Sequence, residues 1–158
     1  MTRVEAICKW SPILLAIALP HLASGAIADG DEHRDAAYGR PGDRAKTSRT
    51  VAIDMSDSMR FTPALITVRK GETIRFVLTN SGKVRHEMVL GSSKELEEHA
   101  ALMRKFPEMQ HDDPNRLSVD PGKTGALIWQ FTRAGTFDFA CLQPGHFEAG
   151  MRGKIAVR

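Results

Sequence analysis

Residues 135–157 read GTFDFACLQPGHFEAGMRGKIAV. Phe137, Phe139 and Cys141 alternate onto one face, and Ile155 and Val157 do the same in a second short run from Gly153. Alternation at every second residue marks half-buried strands. Pro144-Gly145 breaks the pattern between them and turns the chain. The stretch therefore predicts strand, loop, strand. A thiol (Cys141), an imidazole (His146) and a thioether (Met151) all fall within that one loop.

Upstream the same grammar repeats. Val51, Ile53 and Met55 alternate, and Leu65–Val68 follows as a short apolar run. Lys70-Gly71 is a turn. Thr73–Thr79 places Ile74, Phe76 and Leu78 on one face, and Asn80-Ser81-Gly82 turns again. Val84–Leu90 reads as a strand with His86, Met88 and Leu90 together. Asp120-Pro121-Gly122 is a turn before the alternating Leu127, Trp129 and Phe131, and Ala134-Gly135 is the turn after them. Short strands at regular spacing with turn residues between predict an all-β sandwich or barrel. One segment departs from this. In Ser92–Phe106, Leu96, His99, Ala100, Met103 and Phe106 recur at helical spacing behind a capping Ser92 or Ser93. This predicts one short inserted helix.

The N-terminus has a different character. Arg3 and Lys9 precede a mostly apolar run over 11–22, and Ala26-Ile27-Ala28 fits a small-residue cleavage pattern. The run is shorter than the ~20 apolar residues that span a bilayer, and Pro20 and His21 interrupt it. Residues 1–28 are read as an export signal, cut after Ala28 or after Gly25. No membrane insertion is expected once it is removed. Residues 29–49 are polar and read as a flexible leader containing His33, and 50–158 as one domain. The net charge is +3, without a dense run of Lys or Arg, which argues against a nucleic-acid partner.

Two cysteines are present, and Cys8 leaves with the signal. That leaves Cys141 as a lone thiol in an oxidising compartment, where it must be inert, reactive or bound to metal. Cys, His and Met in one loop are donors that suit copper in both oxidation states. A second histidine must come from elsewhere. Outside the loop the mature chain offers His33, His86, His99 and His111. His86 is the best placed, because the faces of its strand and of the Cys141 strand meet inside a two-sheet sandwich. The alternative for His86 taken alone is a core histidine bonded to a carbonyl.

The C-x4-H-x4-M loop with an upstream strand histidine resembles the cupredoxins, the family of azurin, plastocyanin and pseudoazurin. The resemblance extends over 54–158 and includes Met59–Ala64, Gly71-Glu72-Thr73 and Asn80-Ser81-Gly82. The segment Met109–Asn115 is similar to that of a periplasmic branch linked to bacterial copper tolerance. The resemblance implies a Greek-key sandwich holding one type 1 copper ion. His86, Cys141 and His146 would be equatorial ligands and Met151 the axial one. Familiar cupredoxins often carry Asn after the first histidine and here Glu87 stands there, which leaves the potential and the blue or green colour open.

The same resemblance implies a periplasmic one-electron carrier or copper-tolerance protein. A transient redox or copper-handling partner would meet it near the edge of His146. Pro144 and Phe147 would line that patch, unless Phe147 packs inward. The rival is a chaperone or scavenger that moves Cu(I). Its extra donors would be Met55, Met59, His99, Met103, Met109 and His111, for which core packing is the competing explanation. No enzyme is expected, since copper oxidases and nitrite reductases need further copper centres.

Overall fold

The computed structural model describes residues 36–107, 109 and 113–158. The expected export signal over 1–28, the expected leader up to residue 35 with His33, and His111 lie outside the described residues. In chain order the elements are β1 (Arg40–Pro41), β2 (Arg49–Ser56), β3 (Arg60–Thr62), β4 (Leu65–Val68), β5 (Thr73–Asn80), β6 (His86–Gly91), α1 (Ser93–Lys105), β7 (Arg116–Val119), β8 (Thr124–Gln130), β9 (Gly135–Ala140) and β10 (Arg152–Val157). They form two five-stranded sheets, ordered β1-β8-β5-β2-β3 and β4-β10-β9-β6-β7. The expected all-β sandwich with one short helix is the observed fold. No described helix is long and apolar enough to cross a membrane.

The alternating residues decide which faces meet. In β5, Ile74, Phe76 and Leu78 are fully buried, and the register sets Ile74 opposite Trp129 and Phe76 opposite Leu127 of β8. β2 runs parallel to β5 and brings Ile53 beside Leu78. In the other sheet Phe137 faces Ile155, and Leu90 faces Phe139. The inward side chains of both sheets make one core. Two chain crossings are parallel (β2 with β5, β4 with β10) and the other strand pairs are antiparallel.

β6 is buried along its whole length because α1 covers its outer face. Leu96, Ala100 and Met103 pack there with Val89, Ala140, Leu142 and Phe147 as a second, smaller core. Ser92 caps the helix: its hydroxyl accepts from Glu95 N, and the Glu95 carboxylate accepts from Ser92 N at 2.8 Å. Phe106, expected on the same face, is the C-cap residue and is half exposed.

The other differences have physical causes. β6 starts at His86 rather than Val84, which is exposed in the turn. Phe131 lies just past the end of β8 yet is fully buried, its ring edge-on to Phe76. β1, β3 and β7 are two to four residues long, too short for alternation to stand out, although β3 buries Phe61 and β7 turns Leu117 and Val119 onto the core. The flexible leader over 29–49 needs correction in its described part. Tyr38 is only 7% exposed and stacks on Trp129 with ring centroids 5.6 Å apart. Trp129 Nε1–H donates to the Tyr38 carbonyl, and β1 pairs with β8. One aromatic anchor holds down a stretch whose average composition is polar.

Candidate metal centre

His86 reaches its place through a tightly bonded turn. Asn80 is fully buried; its Nδ2 donates to the Val84 and Val119 carbonyls at 2.8 and 2.9 Å, and its Oδ1 accepts from Gly82 N. That turn delivers His86 to the first position of β6 with no solvent exposure. Cys141 follows directly on β9 and is equally buried.

The loop after Cys141 closes on itself. Cys141 N donates to the Met151 carbonyl and Met151 N to the His146 carbonyl, each at 3.0 Å. His146 N donates to the Gln143 carbonyl, which completes a turn through Gly145 at φ +85°. A side chain at that φ would be strained, which accounts for Gly after Pro144. The loop is also tied to its surroundings. Arg60 Nη1 donates to the Ala149 carbonyl, Arg104 pairs with Glu148, and the Arg152 guanidinium lies 3.7 Å from the centre of the Phe147 ring.

Three of the four expected ligands thus converge. His86 Nδ1 is 3.2 Å from His146 Nδ1, and His146 Nδ1 is 3.3 Å from Cys141 Sγ. One donor atom from each of the three residues lies within 4.8 Å of the others. Met151 is fully buried and is bonded through its backbone to both Cys141 and His146. Phe147, left open between surface and interior, packs inward in the smaller core. Pro144 and Gly145 are exposed beside the partly exposed His146.

The electrostatics suit a metal. Burial pushes the Cys141 thiol up to about 12, although N–H groups of Glu87 and Gln143 point at the sulfur and oppose the rise. Burial, and then the neighbouring His86, holds His146 below the usual imidazole range. The metal-free pocket therefore keeps a neutral thiol and a neutral His146 imidazole. A cation that displaces the thiol proton gains a buried thiolate already supplied with N–H donors. Two imidazole nitrogens and one sulfur are a donor set that copper prefers.

Two carboxylates stand around these donors: Glu87, noted for its place after His86, and Asp57. Asp57 Oδ1 lies 3.1 Å from His86 Nε2. Glu87 is 1% exposed; its carboxylate accepts from Arg116 Nη2 at 2.6 Å, Ser118 Oγ at 3.0 Å and Leu142 N at 3.2 Å. Glu87 thereby ties β6, β7 and the ligand loop together. Its position beside His86 was the available signal. For Asp57, in an exposed turn, there was none.

Two of the donors offered for a second Met/His site lie in different cores. Met55 belongs to the core between the sheets and Met103 to the smaller core under α1. Both are spent on packing.

Residues 48–158 match the family described as copper binding proteins, plastocyanin/azurin family. The chain belongs to this cupredoxin family. The copper-resistant cuproprotein CopI of Rubrivivax gelatinosus is 51% identical over 158 residues, covering 93% of this chain and 96% of that protein. The protein of the same name from Pseudomonas aeruginosa is 36% identical and covers 85% and 90%. Among solved structures, reduced auracyanin from Roseiflexus castenholzii superposes with a TM-score of 0.61 at 20% identity, over 71% of this chain and 98% of that one. Auracyanin B gives the same TM-score at 19% identity, over 78% and 96%. These structural likenesses speak to the fold alone. Copper is the metal of this cupredoxin, and His86, Cys141 and His146 group as its type 1 site.

Proposed function

We propose that this cupredoxin is an exported, periplasmic protein of copper tolerance that holds one copper ion and exchanges single electrons with a transient protein partner. His86, Cys141 and His146 are the strong ligands, with Met151 as the weak axial donor. The observation that carries the proposal is the convergence of three buried or half-buried donors from β6 and the β9–β10 loop. Bound copper supplies a one-electron couple. The protein's own part is to keep the donors in place in both states. The short backbone bonds that close the loop, and the anchoring of that loop to Arg60 and Glu87, serve this rigidity.

Tolerance is supported by the relatives from Rubrivivax gelatinosus and Pseudomonas aeruginosa, both named copper-resistant cuproproteins. Export is supported by the sequence of residues 1–28. The reading assigns no catalysis, because family and relatives are described by copper binding and resistance. The partly exposed His146 beside Pro144 and Gly145 is the natural point of approach for a partner.

A second reading is favoured by those same names, which speak of resistance rather than electron transport: the chain would carry Cu(I) and pass it on. Voltammetry of the loaded protein, followed by incubation with a thiolate-rich Cu(I) acceptor, separates the two. A reversible wave with copper retained after cycling supports the electron carrier. Rapid handover of Cu(I) to the acceptor supports the metal carrier. Failure to bind a stoichiometric copper ion sinks both.

A further inference from the structure

The two ring nitrogens of His86 have different neighbours. Nδ1 faces His146 Nδ1 at 3.2 Å, on the side of the Cys141 sulfur, and Nε2 faces Asp57 Oδ1 at 3.1 Å. A neutral imidazole carries one N–H, and an ionised carboxylate can only accept. A carboxylate at Nε2 therefore puts the proton there and leaves the Nδ1 lone pair free on the donor side.

Asp57 is held in place for this task. It sits in the turn between β2 and β3, and its Oδ2 accepts from Lys83 N at 2.8 Å while Oδ1 also accepts from Val84 N at 3.4 Å. Those two N–H groups belong to the turn that leads into His86, so one carboxylate grips both the ligand and the backbone that delivers it. The carboxylate accepts from the Lys83 and Val84 N–H groups and faces His86 Nε2, a position only an acceptor can fill. Space for it is reserved. A Cβ on Gly82 would fall 2.0 Å from Asp57 Oδ1 and 3.1 Å from His86 Nε2. Only a residue without a side chain lets the carboxylate approach.

We infer that Asp57 is the positioning residue of His86: it fixes the ring with Nδ1 toward Cys141 and His146, and its negative charge favours Cu(II) over Cu(I) at the centre. A carboxylate on the far nitrogen of a metal-bound histidine raises the basicity of the near one, and the more highly charged ion gains more from it. The fixed tautomer is a property of the metal-free chain. The bias between oxidation states rests on the copper assignment above.

The test uses Asp57→Ala, which removes acceptor and charge, and Asp57→Asn, which keeps an acceptor oxygen without the charge. Nitrogen-15 NMR of the metal-free proteins reads the His86 tautomer, and competition titrations read Cu(II) and Cu(I) affinities. The wild type should show the proton on Nε2. Asp57→Ala should lose that preference and bind Cu(II) about 10- to 100-fold more weakly, with a smaller change for Cu(I). Asp57→Asn should keep the tautomer but lower the Cu(II)/Cu(I) affinity ratio. A wild-type proton on Nδ1, or variants with unchanged tautomer and unchanged ratio, would overturn the inference. A wild type that binds no copper yet loses the tautomer in Asp57→Ala would support the positioning role while removing the copper centre.

Discussion

Glu87 and Arg116 place a carboxylate and a guanidinium, 1% and 11% exposed, 2.6 Å apart, with the carboxylate also accepting from Leu142 N at the start of the ligand loop. Taking either partner away leaves the other charged and dry, at a typical cost of about 3–5 kcal/mol. Arg116→Ala should lower the unfolding free energy by about that much in urea titration, whereas Arg116→Ala combined with Glu87→Leu should recover a large part. Tyr38 sets a pH dependence. Burial raises its phenol to about 12. The folded chain therefore keeps a proton that the unfolded chain releases near 10. This contribution is complete below pH 10 and is lost as pH rises toward 12, on the order of 2 kcal/mol. Metal-free Tyr38→Phe should lack that component of the alkaline decline in denaturant titrations between pH 10 and 12. At this scale the sequence was legible where chemistry was concentrated. Cys141 and His146 share a loop with few alternatives, and His86 was chosen by its strand face. Asp57 was invisible because its partners, His86 and the backbone of 83–84, are set by a turn rather than by any periodic pattern.

The helix α1 is capped by the reciprocal Ser92–Glu95 pair, and Ser92→Ala should destabilise the protein by about 1 kcal/mol, read as a shift in denaturation midpoint at unchanged slope. The strap at 36–41 is the least expected element. Tyr38 covers Trp129, which is 2% exposed, and its carbonyl accepts the indole N–H. Deleting the chain through Pro41 should red-shift the Trp129 fluorescence and lower stability by about 2–3 kcal/mol, the value of one large buried apolar side chain. A form that keeps residues 36–41 should show neither effect. Strands such as β5, with three inward apolar residues in alternation, could be read in advance. The two-residue β1 and the four-residue β7 could not, because each is too short for alternation to stand out, even though β7 turns Leu117 and Val119 onto the core.

Across the whole molecule, the arrangement follows from two cores that share one sheet. The larger lies between the sheets; the smaller seals α1 onto β6 and β9. β6 and β9 are thus packed on both sides, and the ligands His86 and Cys141 sit at the ends of these two braced strands. The centre inherits its rigidity from the sandwich rather than from the loop alone. That architecture was legible because strand alternation and turn residues agreed along most of the chain. Which strands paired, and that β2–β5 and β4–β10 run parallel, was set by packing between distant segments and was not.

The most direct measurement is the visible absorption of the Cu(II)-loaded protein, compared with that of Cys141→Ser. Direct bonding of the Cys141 sulfur to copper predicts an intense charge-transfer band in the wild type that vanishes in the variant. A wild-type protein that binds Cu(II) yet stays colourless, or a band that persists without the thiol, would contradict it.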